Sequence, residues 1–361
     1  MTILHICSLN KDQANGVTVI VPQYLKEQAK TNTVLMLNLD SDGFNCEDYP
    51  VYHGSGHLQT IIEENQIDLV VFHEIYYFKY ISASKLLKEK CIPYVIVPHC
   101  SLCKNAQAQK RLPKVILNVL FFRKFVKDAA RVQYLSEKEK VDSSSFRCNS
   151  FISPNGVYLS KKQWMPKKRE QFKLVYIGRY AIFHKGLDYL IDACTSIRKE
   201  MEQYHIILEL YGTDFEGNQQ FLMERIQKNH MEHLIHMNPP VFGDEKISIL
   251  LDADAFIQTS RFEGQPVAIL EAMTIGLVPI VTKGTTFMEV VKENNCGYSA
   301  GEDKDDIAKA ILTAYQEREQ MSQMSKNAVK LIEEHYEWSI VTNRLIAQYS
   351  KIIKSENDLE T

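Results

Sequence analysis

The chain has 361 residues, of which 45% are hydrophobic and 24% charged, and its formal net charge is −3. This balance indicates a globular protein long enough for two domains, and it argues against a chain dedicated to binding nucleic acid, which would carry excess basic charge. The N-terminus lacks a basic region, and no run of eighteen apolar residues occurs, so we expect a cytoplasmic protein with neither signal peptide nor membrane-spanning helix.

The first half alternates short apolar runs with helical stretches, which predicts an α/β fold whose parallel sheet is covered on both faces. The strands are predicted at residues 2–9, 33–39, 67–74, 93–100 and 130–136, with helices around Val21–Thr31, Leu58–Asn65 and Ala83–Lys90. We expect one Rossmann-like domain over residues 1–158.

A second alternation follows a basic segment that contains Pro166, residues 159–171, which we interpret as a solvated linker. Its strands are predicted at residues 172–179, 205–212, 234–240, 253–260 and 277–283, which gives a second Rossmann-like domain over residues 172–337. An amphipathic helix from Trp338 to Ile353 is expected to pack back on the first domain, to which we assign residues 338–361.

Ligands of such sheets lie beyond the carboxyl ends of the strands, so the loops there carry the candidate site. After the first strand of the second half come Gly178 and Arg179, and then His184, Lys185 and Gly186 ahead of a helix. Two cations beside a helix N-terminus suit a diphosphate. A solvated Arg and Lys pair on a loop accounts for the pattern about equally well. Another strand ends in a Tyr-Gly pair that by itself indicates only a turn.

The stretch "SRFEGQPVAILEAM" holds Glu263 and Glu271 eight positions apart, with Pro266 near the predicted start of a helix. A carboxylate on that helix can accept two hydrogen bonds from a vicinal diol such as that of a ribose. The loop glutamate is placed to meet a second group of hydroxyls. The simpler alternative is an acid on a loop and an unrelated acid on a surface helix.

Together, these motifs resemble the donor domain of a retaining family 4 glycosyltransferase of the group described as "glycosyl transferases group 1". The resemblance runs in order from about Leu174 to Gly297, and Glu263 and Glu271 match the family's pair of glutamates separated by seven residues. It implies a GT-B fold, in which two Rossmann-like domains face each other across a cleft.

The resemblance also implies roles. Arg179 and Lys185 would hold the diphosphate of a nucleotide sugar without a metal or other cofactor, Glu271 would bind the ribose, and Glu263 the hydroxyls of the transferred sugar. The predicted catalytic residues are His99, Arg179, Lys185 and Glu263, and the predicted substrate-binding residues are Gly16, Gly178, Gly212, Gly264, Gln265, Pro266, Val267 and Glu271.

Two of these residues come from the first half. His99 follows the strand "PYVIVP", so the resemblance implies that it faces the donor sugar, and His73 after the preceding strand is a weaker candidate. Gly16 is assigned to donor phosphate binding, although the loop "LNKDQANGVT" has only Asn15-Gly16 where family members often have paired glycines. The eight cysteines come without a secretion signal, so we expect reduced thiols. Cys100 and Cys103 form a C-x-x-C that lacks further zinc ligands at matching spacing, and a redox role is the alternative.

The segment Lys104–Arg131 combines eight Lys or Arg residues with one acid, Asp128, and contains the apolar run "VILNVLFF". Such a segment can lie on an anionic membrane surface. It can equally be a helix that packs its apolar stripe on the sheet and leaves its basic face in water.

The function expected from the resemblance is transfer of a hexose, with retention, from a nucleotide sugar to a saccharide or lipid-linked acceptor. A UDP-sugar is preferred, the pathway is bacterial surface polysaccharide synthesis, and the location is the cytoplasm or the inner face of the cell membrane. The alternatives are a GDP-mannose-type mannosyltransferase, a nucleotide-sugar isomerase or epimerase, and a catalytically silent binding partner on the same fold. No G-x-G-x-x-G follows the first strand, which disfavours a nicotinamide-dependent dehydrogenase.

Overall fold

The computed structural model describes residues 1–9, 16–40, 44–108 and 111–360, with the backbone alone at 111–113 and 357–360. These residues divide into two compact units. The first unit is Met1–Gly156 with Trp338–Thr361, and the second is Val157–Glu337. Each unit is built on its own parallel sheet.

The first sheet, within the described residues, has the strand order β3-β2-β1-β4-β5-β6-β7, and its pairs are parallel. The strands are β1 Thr2–Cys7, β2 Thr33–Asn38, β3 Val51–His53, β4 Leu69–His73, β5 Tyr94–Val97, β6 Arg131–Tyr134 and β7 Ser150–Ile152. Every residue of β4 is buried, which confirms that helices cover both faces. The order reverses between β1 and β4, so the carboxyl ends of these two strands mark a topological switch point.

The helices of this unit alternate with the strands, as predicted. They are α1 Gly16–Ala29, α2 Leu58–Glu64, α3 Phe78–Glu89, α4 Lys104–Ala108, α5 Arg111–Leu117, α6 Arg123–Asp128 and α7 Glu137–Asp142, with a 3₁₀ turn at Ser55–His57 and a π-helical turn at Asn118–Phe122.

The second sheet has the order β10-β9-β8-β11-β12-β13, again parallel, and it reverses between β8 and β11. Its strands are β8 Phe172–Ile177, β9 Ile206–Tyr211, β10 Ile235–Asn238, β11 Ala255–Gln258, β12 Pro279–Thr282 and β13 Tyr298–Ala300. Its helices are α8 Ile182–Lys185, α9 Leu187–Ser196, α10 Arg198–Gln203, α11 Asn218–Lys228, α12 Gly243–Asp252, α13 Val267–Thr274, α14 Met288–Glu293, α15 Lys304–Gln316 and α16 Met321–Leu331, with 3₁₀ and π turns at Lys283–Thr285 and Ile332–Tyr336.

The last helix, α17 Trp338–Glu360, returns to the first unit, as the sequence predicts. The buried indole of Trp338 lies against Gly156, where an added Cβ would come within 2.4 Å of it. The hydroxyl of Tyr349 lies 3.0 Å from the Tyr24 hydroxyl and donates to Gln133 at 3.1 Å. Packing and buried hydrogen bonds thus join the end of the chain to α1 and β6.

Most residues of the segment 159–171 are exposed, as its composition suggests, but parts of it contact the second unit. The side chain of Trp164 is buried, and its indole N–H donates to the carbonyl of Ala253 at 2.7 Å. Lys167 and Arg169 form ion pairs with Asp252. The segment is therefore attached to the second unit through Trp164, Lys167 and Arg169.

Candidate functional site

The candidate site in the second unit lies at the switch point between β8 and β11. Gly178 follows β8, and Gly212 follows the neighbouring β9. A Cβ added to Gly212 would lie 2.1 Å from the carbonyl oxygen of Gly178, so the two loops approach as closely as glycine alone permits. The loop that holds Glu263 leaves β11, on the other side of β8.

The carboxylate of Glu263 is the centre of a buried polar cluster. The ammonium of Lys185 contacts its Oε1, to which Ser260 Oγ and Gln258 Nε2 also donate at 2.8 and 3.0 Å. Nε2 of His184 lies 3.5 Å from its Oε2. The side chains of Glu263 and Lys185 are only 9% and 15% exposed. The structure therefore brings together two residues that the sequence predicts for one site.

The neighbouring positive charges outweigh burial in their effect on the pKa of Glu263. Burial of the Glu263 carboxyl raises its pKa, but the charges of Lys185 and His184 more than offset the burial and hold the pKa well below its ordinary value. The carboxylate is therefore ionised throughout the physiological pH range and can only accept hydrogen bonds.

Two features hold the loop of Lys185 against the end of β11. Gly186 has φ 63°, in the left-handed region, and a Cβ there would lie 2.1 Å from the carbonyl oxygen of Thr259. Arg261 forms a two-fold hydrogen-bonded pair with Asp188 at 2.9 and 2.7 Å, and its guanidinium lies 3.7 Å from the ring centroid of Tyr189. Sequence reasoning missed Gln258, Ser260 and Arg261 as supports, although all three lie at or just after the end of β11.

Arg179 stays available to a ligand. Its guanidinium lies 5.0 Å from the ring centroid of Phe215, and it forms no ion pair within the described ranges. Its backbone is fixed, because its carbonyl accepts a hydrogen bond from the Tyr176 hydroxyl at 2.9 Å. The cation therefore belongs to a residue two positions beyond the end of β8.

Glu271 lies on α13, as predicted, and it contacts the ammonium of Lys246 on α12. This partner was not predicted, since no motif spacing connects the two helices. Between the glutamates, Gly264 and Gln265 are buried, Pro266 precedes α13, and Val267 is the first residue of α13. No hydrogen bond or ion pair joins Glu271 to Glu263 directly in the part of the chain that the structure describes.

In the first unit, His99 follows β5 and His73 ends β4. Nδ1 of His73 lies 3.1 Å from Nε2 of His99, so the two histidine candidates touch. His99 and Cys100 have φ values of 46° and 68°, and such a left-handed pair of non-glycine residues is strained. The buried carboxyl of Glu139 fixes this turn by accepting the backbone N–H of Cys100 at 2.6 Å.

Gly16 is the first residue of α1, is exposed, and has nothing within 4 Å of an added Cβ. The loop before it, including Asn15, lies outside the described residues. Cys100 and Cys103 are both buried. Among the residues that can be described, no group of three or more His, Cys, Asp or Glu side chains is arranged to hold a metal ion.

The segment Lys104–Arg131 forms α4, α5, the π turn and α6, and part of it, Lys110 and the side chain of Arg111 included, lies outside the description. Two groups of its apolar residues differ in exposure. Phe122, Phe125 and Val126 are buried in the first unit. The other set faces solvent, with exposed fractions of 51% to 66%; we call it the exposed apolar face, and it consists of Val115, Ile116, Val119 and Leu120.

Comparison with solved structures shows the fold. The structure of sucrose-phosphate synthase from Thermosynechococcus elongatus superposes with a TM-score of 0.81 at 13% identity, over 98% of this chain and 99% of that one. The structure of Anabaena HepE in complex with UDP-glucose has a TM-score of 0.77 at 17% identity, over 97% of this chain and 100% of that one. The predicted GT-B fold is confirmed.

Comparison of sequences identifies the class. A GDP-mannose:cellobiosyl-diphosphopolyprenol alpha-mannosyltransferase from Xanthomonas oryzae pv. oryzae is 24% identical over 294 residues, which is 78% of this chain and 73% of that protein. Fold and sequence thus define a glycosyltransferase of the GT-B type. The family model described as "Glycosyl transferases group 1" matches residues 160–331 of this chain.

None of the described helices combines the length and the apolar character that crossing a membrane requires.

Proposed function

We propose that this chain is a retaining, family 4 hexosyltransferase that moves a sugar from a nucleotide sugar to a saccharide or lipid-linked acceptor in bacterial surface polysaccharide synthesis. The observation that carries the proposal is the buried pair of Lys185 and Glu263 at the switch point of the second sheet. Arg179 at the end of the adjacent strand adds a cation without an ion-pair partner among the described residues.

These charges suit the two ends of a sugar diphosphate. Arg179 and Lys185 would contact the diphosphate, where fixed cations stabilise the charge that develops on the leaving phosphate. The ionised Glu263 would accept hydrogen bonds from the hydroxyls of the transferred sugar, and such charge-assisted bonds are the stronger ones. Glu271 would accept the ribose hydroxyls. Because cations of the protein fill the place of a divalent ion, we propose that transfer needs no metal.

The reaction would take place on one face of the sugar. The bond between the anomeric carbon and the phosphate oxygen breaks, and the bond to the acceptor oxygen forms on the same face. The proton of the acceptor hydroxyl passes to the leaving phosphate, which departs as the nucleoside diphosphate. Arg179 and Lys185 lower the barrier by stabilising the phosphate while it gains charge.

Two relatives support two different donors. HepE has been crystallised with UDP-glucose, and the Xanthomonas relative is named for GDP-mannose. We propose a UDP-sugar as the donor and keep GDP-mannose as the alternative. The name of the Xanthomonas relative also includes a diphosphopolyprenol, which supports a lipid-linked acceptor here.

Calorimetry with a panel of UDP- and GDP-sugars in the presence of EDTA tests the donor site. We expect one donor to bind, with binding lost in Glu271→Ala and kept in Glu289→Ala, an exposed acid on α14 that serves as the matched control. The proposal is wrong if no nucleotide sugar binds with or without a glycan acceptor. Conversion of the donor sugar in the absence of any acceptor would favour an isomerase or epimerase.

We further propose that the exposed apolar face lies on an anionic membrane surface. Four large apolar side chains in water are costly, and contact with lipid would remove them from it. Arg123 and Lys127 lie one to three helical turns further along and are exposed without an ion pair among the described residues. Lys124 is less available, because Asp128 accepts its hydrogen bond at 2.7 Å. Apolar and basic groups on neighbouring turns are typical of interfacial helices.

Sedimentation with vesicles tests this contact. Each Lys or Arg near an anionic surface contributes about 1 kcal/mol, so Arg123→Gln with Lys127→Gln should weaken binding to phosphatidylserine vesicles about thirtyfold. Val119→Ser with Leu120→Ser should weaken binding to neutral vesicles as well. The control variant is Met165→Ser, an equally exposed apolar residue of the second unit. Unchanged sedimentation of both double variants would contradict the proposal.

A further inference from the structure

A chain of three histidines crosses the first sheet. Nδ1 of His5 in β1 lies 3.0 Å from Nε2 of His73, and Nδ1 of His73 lies 3.1 Å from Nε2 of His99. The rings stack with interplanar angles of 22° and 24°. At the far end, Nε2 of His5 lies 3.2 Å from Oε1 of Gln28 on α1. His5, His73 and Gln28 are buried.

Such a chain has one tautomeric direction. A neutral imidazole donates from one ring nitrogen and accepts at the other. All three rings must therefore carry their hydrogen on the nitrogen of the same name, either Nδ1 in each or Nε2 in each. Burial keeps the rings neutral: it lowers the pKa of His5 to about 3 and that of His99 to about 4, and it also lowers the pKa of His73 well below its ordinary value. The group at one end therefore determines the tautomer at the other.

We propose that Gln28, His5 and His73 are positioning residues that hold His99 with its hydrogen on Nε2, so that Nδ1 accepts a hydrogen bond from a sugar hydroxyl. The Gln28 oxygen can only accept, so His5 must donate to it from Nε2 and accept at Nδ1. The same assignment then passes to His73 and to His99. The identification of this hydroxyl as that of a sugar rests on the proposed function. The tautomer of His99 does not depend on the proposed function.

The geometry separates this role from two others. The chain ends at an amide, which neither takes up nor releases a proton, so it orients His99 and does not conduct protons away from it. Packing alone does not account for it either, because apolar side chains would fill the sheet without requiring partners. Nδ1 of His99 has no hydrogen-bond partner within the described ranges. The strained φ of 46° at His99 is typical of residues at functional sites.

Long-range ¹H–¹⁵N NMR of the histidine rings in the full-length protein at neutral pH tests the proposal. We expect pyrrole-type Nε2 and pyridine-type Nδ1 signals for all three rings. The buried amide nitrogen of Gln28 has no partner among the described residues, so no second hydrogen bond of the side chain fixes the orientation of the amide. The experiment therefore measures the tautomers directly. Hydrogen on Nδ1 of these rings, or a mixture of tautomers, would overturn the proposal.

Substitution of Gln28 tests the direction of the effect. Gln28→Leu removes the acceptor, so the tautomers should mix or reverse and the rate of sugar transfer should fall about tenfold, the effect of one hydrogen bond. Gln59→Leu, on the exposed side of α2, is the control. Unchanged tautomers in Gln28→Leu would refute the proposal, whereas intact tautomers in a wild type that transfers no sugar would refute only the proposed function.

Discussion

Removing one member of the Lys185–Glu263 pair should lower the free energy of unfolding far more than removing both members. Glu263→Gln leaves the ammonium of Lys185 buried without its carboxylate, and Lys185→Met leaves the carboxylate buried with Ser260 and Gln258 as neutral donors. Breaking a buried pair in this way costs about 3 to 5 kcal/mol of unfolding free energy. The double variant holds neither charge and should lie within about 1 kcal/mol of wild type. The expected coupling energy, the sum of the two single losses less that of the double variant, is therefore about 5 kcal/mol or more.

The assay is urea unfolding followed by tryptophan fluorescence in a Trp338→Phe background. The chain has two tryptophans, and this background leaves Trp164, which is buried in the unit that holds the pair. The control cycle uses Lys330 and Glu334, an exposed pair at 3.8 Å, whose coupling should be about 0.5 kcal/mol or less. Additive effects of the two substitutions at the buried pair would refute the reasoning.

The pH dependence gives a second measurement of the same pair. The pKa of Glu263 is lower in the folded chain than in the unfolded chain. Its stabilising contribution is therefore complete above about pH 4.3, the unfolded value, and is lost as the pH falls below it. The difference in unfolding free energy between wild type and Glu263→Gln should narrow in acid. A difference that stays constant from neutral pH to pH 3 would contradict the assigned ionisation.

Three further predictions follow from the geometry. Glu271→Gln should weaken nucleotide-sugar binding about tenfold or more by calorimetry, because an amide is a poorer acceptor for a diol than a carboxylate; equal weakening in Glu289→Gln would contradict this. The Cβ added by Gly186→Ala would lie 2.1 Å from a backbone oxygen, so this substitution should lower the free energy of unfolding by well over roughly 1 kcal/mol. A loss of roughly 1 kcal/mol is expected for Gly217→Ala, because Gly217 also has a positive φ but has open space around it. Equal losses of stability in thermal unfolding would contradict the clash. Burial raises the pKa of Glu139 to about 7, so the unfolding free energy of wild type relative to Glu139→Gln should fall as the pH rises from about 4 to 8; a rise would contradict the shift.

The sequence predicted the interior strands of both sheets but missed β3, β7 and β13. The interior strands are buried on both faces, which leaves a continuous apolar run for pattern recognition. The three missed strands have three residues each and lie at sheet edges, where no such run is needed. The returning C-terminal helix was predicted at about 338–361, and it runs from Trp338 to Glu360.

The residues of the candidate site that could be predicted from the sequence are those that come soon after the end of a strand. Gly178 and Gly212 come into contact as their neighbouring strands require, and Lys185 meets Glu263. The partners of those residues were not predictable. Lys246 reaches Glu271 from a different helix, so this contact depends on the tertiary fold and leaves no signal along the chain. The roles assigned to these residues stay predictions until ligand binding is measured.

The histidine chain illustrates a different limit. His73 and His99 were recognised because each follows a strand, whereas His5 lies within β1 and Gln28 within α1, where polar residues are ordinarily interpreted as local features. Their connection depends on the strand order, since β1, β4 and β5 are neighbours in the sheet but far apart in sequence. A pattern along the chain cannot show a contact that the order of strands creates.

Both sheets place buried polar side chains at the point where the strand order reverses. In the first unit the histidine chain begins across β1 and β4, and in the second the Lys185–Glu263 pair joins the loops that follow β8 and β11. Stability alone does not select such groups, because a buried ion pair can often be replaced by apolar residues without loss of stability. Ligands of parallel α/β sheets bind at switch points. Ligand binding is therefore the simplest physical reason why each unit keeps polar groups where apolar ones would pack more easily.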